Sequence, residues 1–177
     1  LDSKHRTTPS SGIEVPDSAI NPVLFPMQRD VTRWALRKGR SAVFLDTGLG
    51  KTLVQCEWAR LIGGRSLIVA PLSVARQTVV IARSLLGMDV HYTRSGDDLS
   101  TEINITNYEM VEHFDPAEFR SAVLDESSIL KGISSKTKAV LIEMFAQTPY
   151  RLCCTATPAP NDITEIANHA EFLGVMT

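Results

Sequence analysis

A glycine-rich run that directly follows a short apolar run constrains the fold of this chain more than any other feature. Residues 42–45 read Ala-Val-Phe-Leu, and residues 46–52 read Asp-Thr-Gly-Leu-Gly-Lys-Thr. A helical pattern begins at Lys51, so the order is strand, glycine loop and helix. Glycines let successive backbone N–H groups converge on a phosphate, and the start of a helix adds partial positive charge. The sequence therefore predicts an α/β domain with a phosphate-binding loop.

The residues of this loop have separate expected roles. Lys51 is expected to reach the β- and γ-phosphates of a nucleotide, and the hydroxyl of Thr52 to hold Mg²⁺. The strict spacing G-x-x-x-x-G-K-[ST] is not met, because Leu45 stands at the first glycine position. A glycine-rich turn with an incidental Lys-Thr is the alternative, and the strand before and helix after disfavour it. The expected nucleotide-binding residues here are Thr47, Gly48, Leu49, Gly50, Lys51 and Thr52.

Apolar strand patterns and amphipathic helix patterns alternate along the rest of the chain. Strands are expected at 66–70, 90–92, 103–105, 122–124 and 151–154, and helices at 26–38, 51–63, 73–87 and 136–147. In the first helix the apolar face is expected to consist of Met27, Val31, Trp34 and Ala35. In a last helix it is expected to consist of Ile163, Ile166, Ala167 and Ala170. This alternation is typical of an α/β domain with a mostly parallel sheet and helices on both faces.

Prolines are concentrated at the start of the chain. Four of the nine fall within the first 26 residues, which is typical of loosely ordered chain. We therefore expect residues 1–22 to be a loosely ordered lead-in and residues 23–177 to form the domain. The chain begins with Leu1 rather than methionine, so we expect it to be part of a longer protein.

Composition excludes several classes of protein. With 18 Lys and Arg against 20 Asp and Glu, the net charge is -2, so any contact with nucleic acid has to be local. No run approaches the ~20 apolar residues of a membrane span. The cysteines, Cys56, Cys153 and Cys154, lack C-x-x-C spacing. They favour a reduced, cytoplasmic protein over a disulfide framework or a zinc site.

A second candidate site follows the strand expected at 122–124. Residues 121–126 read Ser-Ala-Val-Leu-Asp-Glu, so two acids end an apolar strand. The carboxyl ends of parallel strands meet at the crevice where α/β sheets bind ligands. Asp125 would hold Mg²⁺ there, and Glu126 would polarise the attacking water. Two solvated acids at a strand end are the alternative, and the phosphate loop upstream disfavours it.

Six segments follow one another along the chain: 24–29, 46–52, 67–73, 105–109, 125–131 and 151–161. In this order they resemble the motifs of the first RecA-like domain of a superfamily-two helicase or translocase. The closest likeness is to the Swi/Snf-type branch and to phage and prophage helicases of the DEAD/DEAH-box kind. Residues 127–128 are Ser-Ser where motif II of the family usually continues Ala-His. The segments are 24–29 (Q motif), 46–52 (motif I), 67–73 (motif Ia), 105–109 (motif Ib), 125–131 (motif II) and 151–161 (motif III).

The resemblance implies an ATP-binding domain, with Mg²⁺, of a DNA-dependent ATPase that is a helicase or a double-stranded DNA translocase. Lys51 and Glu126 would be catalytic, and the amide of Gln28 would pair with adenine N6 and N7. Thr155 and Thr157 would couple the nucleotide to domain movement. Contacts to the phosphates of nucleic acid, which position a strand without reading its sequence, would come from Pro71, Ser73 and Thr106.

The resemblance also implies a second RecA-like domain in the same parent chain, with an arginine finger that residues 1–177 do not contain. We therefore expect weak or no hydrolysis by this fragment alone. DNA is the expected macromolecular partner, no membrane is expected, and the expected location is the cytoplasm of a bacterial or phage-infected cell. A small-molecule kinase with the same kind of phosphate loop and a non-catalytic, nucleotide-dependent binding module remain as alternatives.

Overall fold

One parallel sheet organises the part of the chain that the structure describes. The structure, a computed structural model, describes residues 11–100, 102–127, 135–156 and 164–175. Within these residues the sheet has six strands in the order β1-β6-β5-β2-β4-β3, and every neighbouring pair is parallel. The strands are β1 (Arg40–Phe44), β2 (Ser66–Ala70), β3 (Val90–Tyr92), β4 (Ile103–Asn107), β5 (Ser121–Asp125) and β6 (Tyr150–Thr155).

Helices alternate with these strands along the chain. They are α1 (Pro26–Lys38), α2 (Lys51–Ile62), α3 (Leu72–Ile81), α4 (Ser135–Met144) and α5 (Thr164–Leu173). A π-helical turn, Ala82–Leu86, extends α3 and ends at Gly87, whose φ is +65°. The end of this pattern at Gly87 was predicted, but α3 begins at Leu72 rather than at Ser73, because Pro71 occupies the N-cap position. None of these helices has the length and apolar character that crossing a membrane requires.

The core lies in two layers, one on each face of the sheet. All five residues of β2 are buried, as expected for a central strand with helices on both sides. Its alternate residues divide between the layers: Ile68 belongs to the cluster that includes residues of α1, α2 and α3, whereas Leu67 belongs to the cluster that includes residues of α4 and α5. Trp58 fills the first layer, and Phe145 and Phe172 meet edge to face in the second. The fold is therefore the expected α/β domain with helices on both faces.

The predicted buried faces of α1 and α5 were partly wrong. In α1, Met27 and Trp34 are 40% and 46% exposed, and the buried residues are Gln28, Thr32, Ala35 and Leu36. In α5, Ile166 is 44% exposed, and the buried residues are His169, Phe172 and Leu173, whereas Ile163 lies outside the described residues. Both errors have the same cause, since each helix buries a polar side chain that a hydropathy pattern assigns to solvent.

Residues 11–22 also differ from the loosely ordered lead-in that the prolines predicted. The N–H of Gly12 donates to the carbonyl of Arg37 at 3.2 Å, and that of Ile13 to Leu36 at 2.9 Å. A side chain at Gly12 would place its Cβ 1.8 Å from the Leu36 oxygen, so only glycine fits this approach. Ile20 is 2% exposed. This segment therefore caps the last turn of α1 and contributes to the core, while residues 1–10 lie outside the described part.

Candidate functional site

The strand order brings the glycine loop and the paired acids to one edge of the sheet. β6 lies between β1 and β5, and in register Phe44 pairs with Thr155 while Asp125 pairs with Cys154. The N–H of Leu45 donates to the Thr155 carbonyl at 3.1 Å, which holds the start of the loop against the end of β6. The loop and Asp125 therefore face each other across a single strand, at the carboxyl edge where such sheets bind ligands.

A cavity of about 460 Å³ opens at this edge, within the usual range for small-ligand sites. Every residue predicted to act on the nucleotide lines this cavity except Leu49, and the Leu49 carbonyl accepts a hydrogen bond from Gln28, which does line it. The lining residues are Phe25, Gln28, Asp46, Thr47, Gly48, Gly50, Lys51, Thr52, Leu53, Val74, Gln77, Ile81, Leu85, Asp125 and Glu126.

The loop has a backbone conformation that requires its two glycines. Gly48 and Gly50 have φ values of +84° and +80°, in the left-handed region that favours glycine. A Cβ on Gly50 would also lie 2.2 Å from Nε2 of Gln28, so a side chain is excluded there for a second reason. The turn is closed by Leu49 N–H, which donates to the Asp46 carbonyl at 3.2 Å. The loop then runs directly into α2 at Lys51, as predicted.

Lys51 and Glu126 form an ion pair across the cavity. Nζ of Lys51 contacts Oε1 of Glu126, with the lysine side chain 13% exposed and the glutamate side chain 35% exposed. Glu126 is the one non-glycine residue with positive φ in the described chain, at +50°. Such a conformation is strained for a residue with a side chain and persists where the surroundings impose it. A phosphate that binds Lys51 has to replace this contact.

Asp125 is buried and held from three sides. Its Oδ2 accepts from Nε2 of Gln55 and its Oδ1 from the N–H of Glu126, both at 2.9 Å, while its carbonyl accepts from the Tyr108 hydroxyl at 2.8 Å. Burial raises the pKa of Asp125, whereas the bond from Gln55 and the charge of Lys51 lower it. Burial, and then the Asp125 charge, raise the pKa of Tyr108 well above its ordinary value. Tyr108 therefore acts as a neutral donor.

The donor set at this edge fits Mg²⁺. Thr52 and Asp125 line the same cavity and offer a hydroxyl and a carboxylate oxygen, both hard ligands. No group of three or more His, Cys, Asp or Glu side chains in the described residues could form an all-protein metal cage. Mg²⁺ characteristically takes one or two protein oxygens and completes its shell with water and phosphate oxygens. The chemistry of the site therefore suits a nucleotide-bound Mg²⁺.

Gln28 links α1 to the glycine loop. The residue is 3% exposed; its Oε1 accepts from the N–H of Phe25 at 2.9 Å, and its Nε2 donates to the carbonyl of Leu49 at 3.0 Å. One N–H and one lone pair of the amide remain, which is what a bidentate contact to adenine uses. Beside Gln28 the cavity wall is apolar, with Leu85 and the 71% exposed ring of Phe25.

A buried carboxylate fixes the segment that carries Phe25 and Gln28. Glu57 of α2 has a fully buried side chain; it accepts from the N–H of Asn21 and pairs with Arg60, both at 2.7 Å. The Asn21 side chain in turn donates to the Leu86 carbonyl at 3.2 Å. The chain before α1 is thus tied to α2 and to the turn after α3, so the wall of the cavity that contains Phe25 and Gln28 is built from three elements.

The remaining predicted residues have different outcomes. Thr155 is buried at the end of β6, next to the loop, and Thr157 lies outside the described residues. Pro71 and Ser73 follow β2 at the same edge of the sheet, and Ser73 is exposed. The expectation for Thr106 has to be corrected, because it lies inside β4 with a fully buried side chain that no strand of nucleic acid reaches in this structure.

Sequence reasoning did not identify Gln55, Tyr108 or Glu57 as parts of the site. Gln55 had a usable signal, since it lies four residues after Lys51 and so on the same face of α2. The other two had none. Tyr108 bonds to the end of β5, 17 positions away, and Glu57 bonds to Asn21, 36 positions away, so neither contact can be inferred from local sequence.

Comparisons with known proteins agree with this geometry. The family described as SNF2-related domain matches residues 28–176. The chain is 28% identical over 167 residues to the DNA 3'-5' translocase XPB2 of Sulfurisphaera tokodaii, covering 85% of this chain but 36% of that protein. The chain thus spans little more than a third of that relative's length.

Solved helicase and ATPase structures share the fold. The Sulfolobus solfataricus SWI2/SNF2 ATPase core in complex with dsDNA has a TM-score of 0.74 at 21% identity, covering 90% of this chain and 37% of that chain. The UvsW helicase of bacteriophage T4 has a TM-score of 0.71 at 16% identity, covering 84% and 58%. At these identities the likeness establishes the RecA-like fold.

Proposed function

Because the chain belongs to the SNF2-related domain family, we propose that it is the ATP-binding, RecA-like domain of a DNA-dependent ATPase of the helicase or translocase type. The observation that carries the proposal is the convergence of Lys51, Asp125 and Glu126 on one cavity beside the glycine loop. The translocase that is 28% identical to the chain supports the same class of activity.

The residues of the cavity divide the work of phosphoryl transfer. The backbone N–H groups of the loop and the α2 N-terminus bind the phosphates, and Lys51 exchanges its contact with Glu126 for one with the β- and γ-phosphates. Thr52 and Asp125 would hold Mg²⁺, which when bound neutralises developing charge on the phosphates. Glu126, released from Lys51, orients the attacking water and accepts its proton.

Residues around the cavity also offer groups for recognition of the adenine base and for contact with DNA. The free donor and acceptor of the Gln28 amide suit N7 and N6 of adenine. The Thr155 carbonyl accepts from the N–H of Leu45 at the start of the glycine loop, so a movement of the loop would be transmitted to β6. Ser73 and the turn that begins at Pro71 offer exposed groups for backbone contacts to DNA. Support for DNA as the partner comes from the SWI2/SNF2 core that was solved with dsDNA. A second RecA-like domain would close the cavity and supply an arginine.

Phosphate release by the parent protein, measured with and without DNA, tests the proposal. We expect stimulation by DNA, with the Lys51→Ala variant inactive under both conditions. Phosphorylation of a small acceptor in place of DNA stimulation would favour the kinase alternative, and nucleotide binding without turnover would favour the binding module. A phage or prophage origin and a cytoplasmic location remain predictions, the former supported only by the fold shared with UvsW.

A further inference from the structure

Gln55 contacts the acid that the proposed mechanism assigns to Mg²⁺, and that mechanism gives Gln55 no role. It lies on α2 one turn after Lys51 and is fully buried. Its Nε2 donates to Oδ2 of Asp125 at 2.9 Å, and the other oxygen of that carboxylate accepts from Glu126 N–H. The contact joins residues that are 70 positions apart.

The other half of the Gln55 amide is unsatisfied. A carboxylate only accepts hydrogen bonds, so the amide nitrogen has to face Asp125 and the amide oxygen is directed away. That oxygen is buried and has no hydrogen-bond partner among the residues that the structure describes. An apolar side chain of similar shape avoids this unsatisfied acceptor, but it also leaves Oδ2 of the buried Asp125 without its donor. Among the described residues the Gln55 side chain makes its one hydrogen bond to Asp125, so the role of the residue lies in that contact.

We propose that Gln55 is a positioning residue that ties the Asp125 carboxylate to α2. Lys51, Thr52 and Gln55 all belong to the first two turns of this helix. The hydrogen bond from the Gln55 side chain therefore holds the Asp125 carboxylate in a fixed position relative to the ammonium of Lys51 and the hydroxyl of Thr52. A carboxylate without this bond keeps only the Glu126 N–H and can rotate away from Thr52. The inference rests on the proposed function and deepens it.

The experiment compares two apolar variants, Gln55→Met and Gln55→Leu, with wild type in the full-length protein that carries this domain. The control is Thr148→Val, which likewise removes a buried polar atom, here a hydroxyl, without a hydrogen-bond partner in the described chain. Thr148 precedes β6, at the opposite edge of the sheet. The measurements are the affinity for a fluorescent ATP analogue in EDTA, the Mg²⁺ concentration that half-saturates the bound analogue, and the thermal midpoint without ligand.

In both Gln55 variants we expect the Mg²⁺ half-saturation point to rise about 10-fold to 100-fold, the range for residues that orient metal ligands. Affinity in EDTA should stay within twofold of wild type, and the thermal midpoint should fall while the variants remain folded, because Oδ2 of the buried Asp125 loses its donor. Thr148→Val should leave the Mg²⁺ half-saturation point unchanged. A purely structural contact would not be expected to change the Mg²⁺ half-saturation point while leaving the affinity in EDTA unchanged.

Two results would overturn the inference. One is a Mg²⁺ half-saturation point within twofold of wild type in folded Gln55 variants. The other is failure of both variants to fold, which would make the contact with Asp125 structural. If wild type itself shows no Mg²⁺-dependent binding of the analogue, the proposed function fails first. The two failures are therefore distinguishable.

Discussion

The ion pair between Lys51 and Glu126 predicts that one substitution has opposite effects on binding and on turnover. Replacing Glu126 with glutamine keeps the size of the side chain and its backbone preference at φ +50°, and removes the charge. A partly exposed ion pair is worth about 0–1 kcal/mol. Because phosphate has to replace this contact, Glu126→Gln should raise ATP affinity by up to about fivefold. Loss of the residue that activates water should lower turnover about 10²–10⁴-fold.

The assay is equilibrium titration with a fluorescent ATP analogue, with phosphate release measured on the same preparations. Glu118→Gln is the matched control, since Glu118 also forms an ion pair, with Arg65, away from the cavity. It should change neither quantity. The gain in affinity at Glu126 should shrink as ionic strength rises. Unchanged or weaker binding by folded Glu126→Gln would refute the idea that the ion pair competes with phosphate.

Three further predictions follow from burial and hydrogen bonding at the site. Gln28→Ala should reduce the preference for ATP over GTP by about 1–3 kcal/mol in a competition titration, and an unchanged ratio would remove Gln28 from the base site. Asp125→Asn should raise the thermal midpoint of ligand-free protein, and by more at pH 8 than at pH 4. Burial raises the pKa of Asp125 above its ordinary 3.8, so the folded state binds the proton more tightly than the unfolded state does. Wild-type stability therefore falls as the pH rises from 3.8 through the raised pKa of the folded state. A gain in thermal midpoint that does not depend on pH would contradict this. Cys56, Cys153 and Cys154 are buried, and burial raises the pKa of each thiol, to about 12 for Cys56 and well above the ordinary value for the other two, so iodoacetamide at pH 8 should label them only after denaturation.

The strands were predictable because a central parallel strand is apolar on both faces and so appears as a continuous run. Residues 66–70 were predicted with the bounds that the structure has, and so was the edge strand 90–92, in which only Val90 is buried. Helix faces were less predictable because burial of a polar side chain depends on its partners. In α1 the hydroxyl of Thr32 donates to the Gln28 carbonyl at 2.8 Å, which makes its burial tolerable. A hydropathy pattern contains no information about such a bond.

The site was predictable to the extent that local order defines it. The strand, glycine loop and helix around Lys51 are contiguous in sequence, so their arrangement follows from the motif. The contact of Gln55 with Asp125 is different, since it exists only because β6 alone separates β1 from β5. Sequence periodicity places Gln55 on the Lys51 face of α2 but does not say which strand that face meets.

Three features of the cavity carry a cost in folding stability, and they are neighbours. Asp125 is a buried carboxylate, Glu126 has a strained backbone, and Gln55 has an unsatisfied buried oxygen. Strain and unsatisfied acceptors each cost about 1–3 kcal/mol. A core of the kind around β2 tolerates such costs but gives no reason for them to cluster. Buried polar atoms without a partner also occur elsewhere in the described chain, for example at Thr78 and Thr148, so the indication of ligand binding is the combination of a buried carboxylate, a strained backbone and an open acceptor where the glycine loop meets β5.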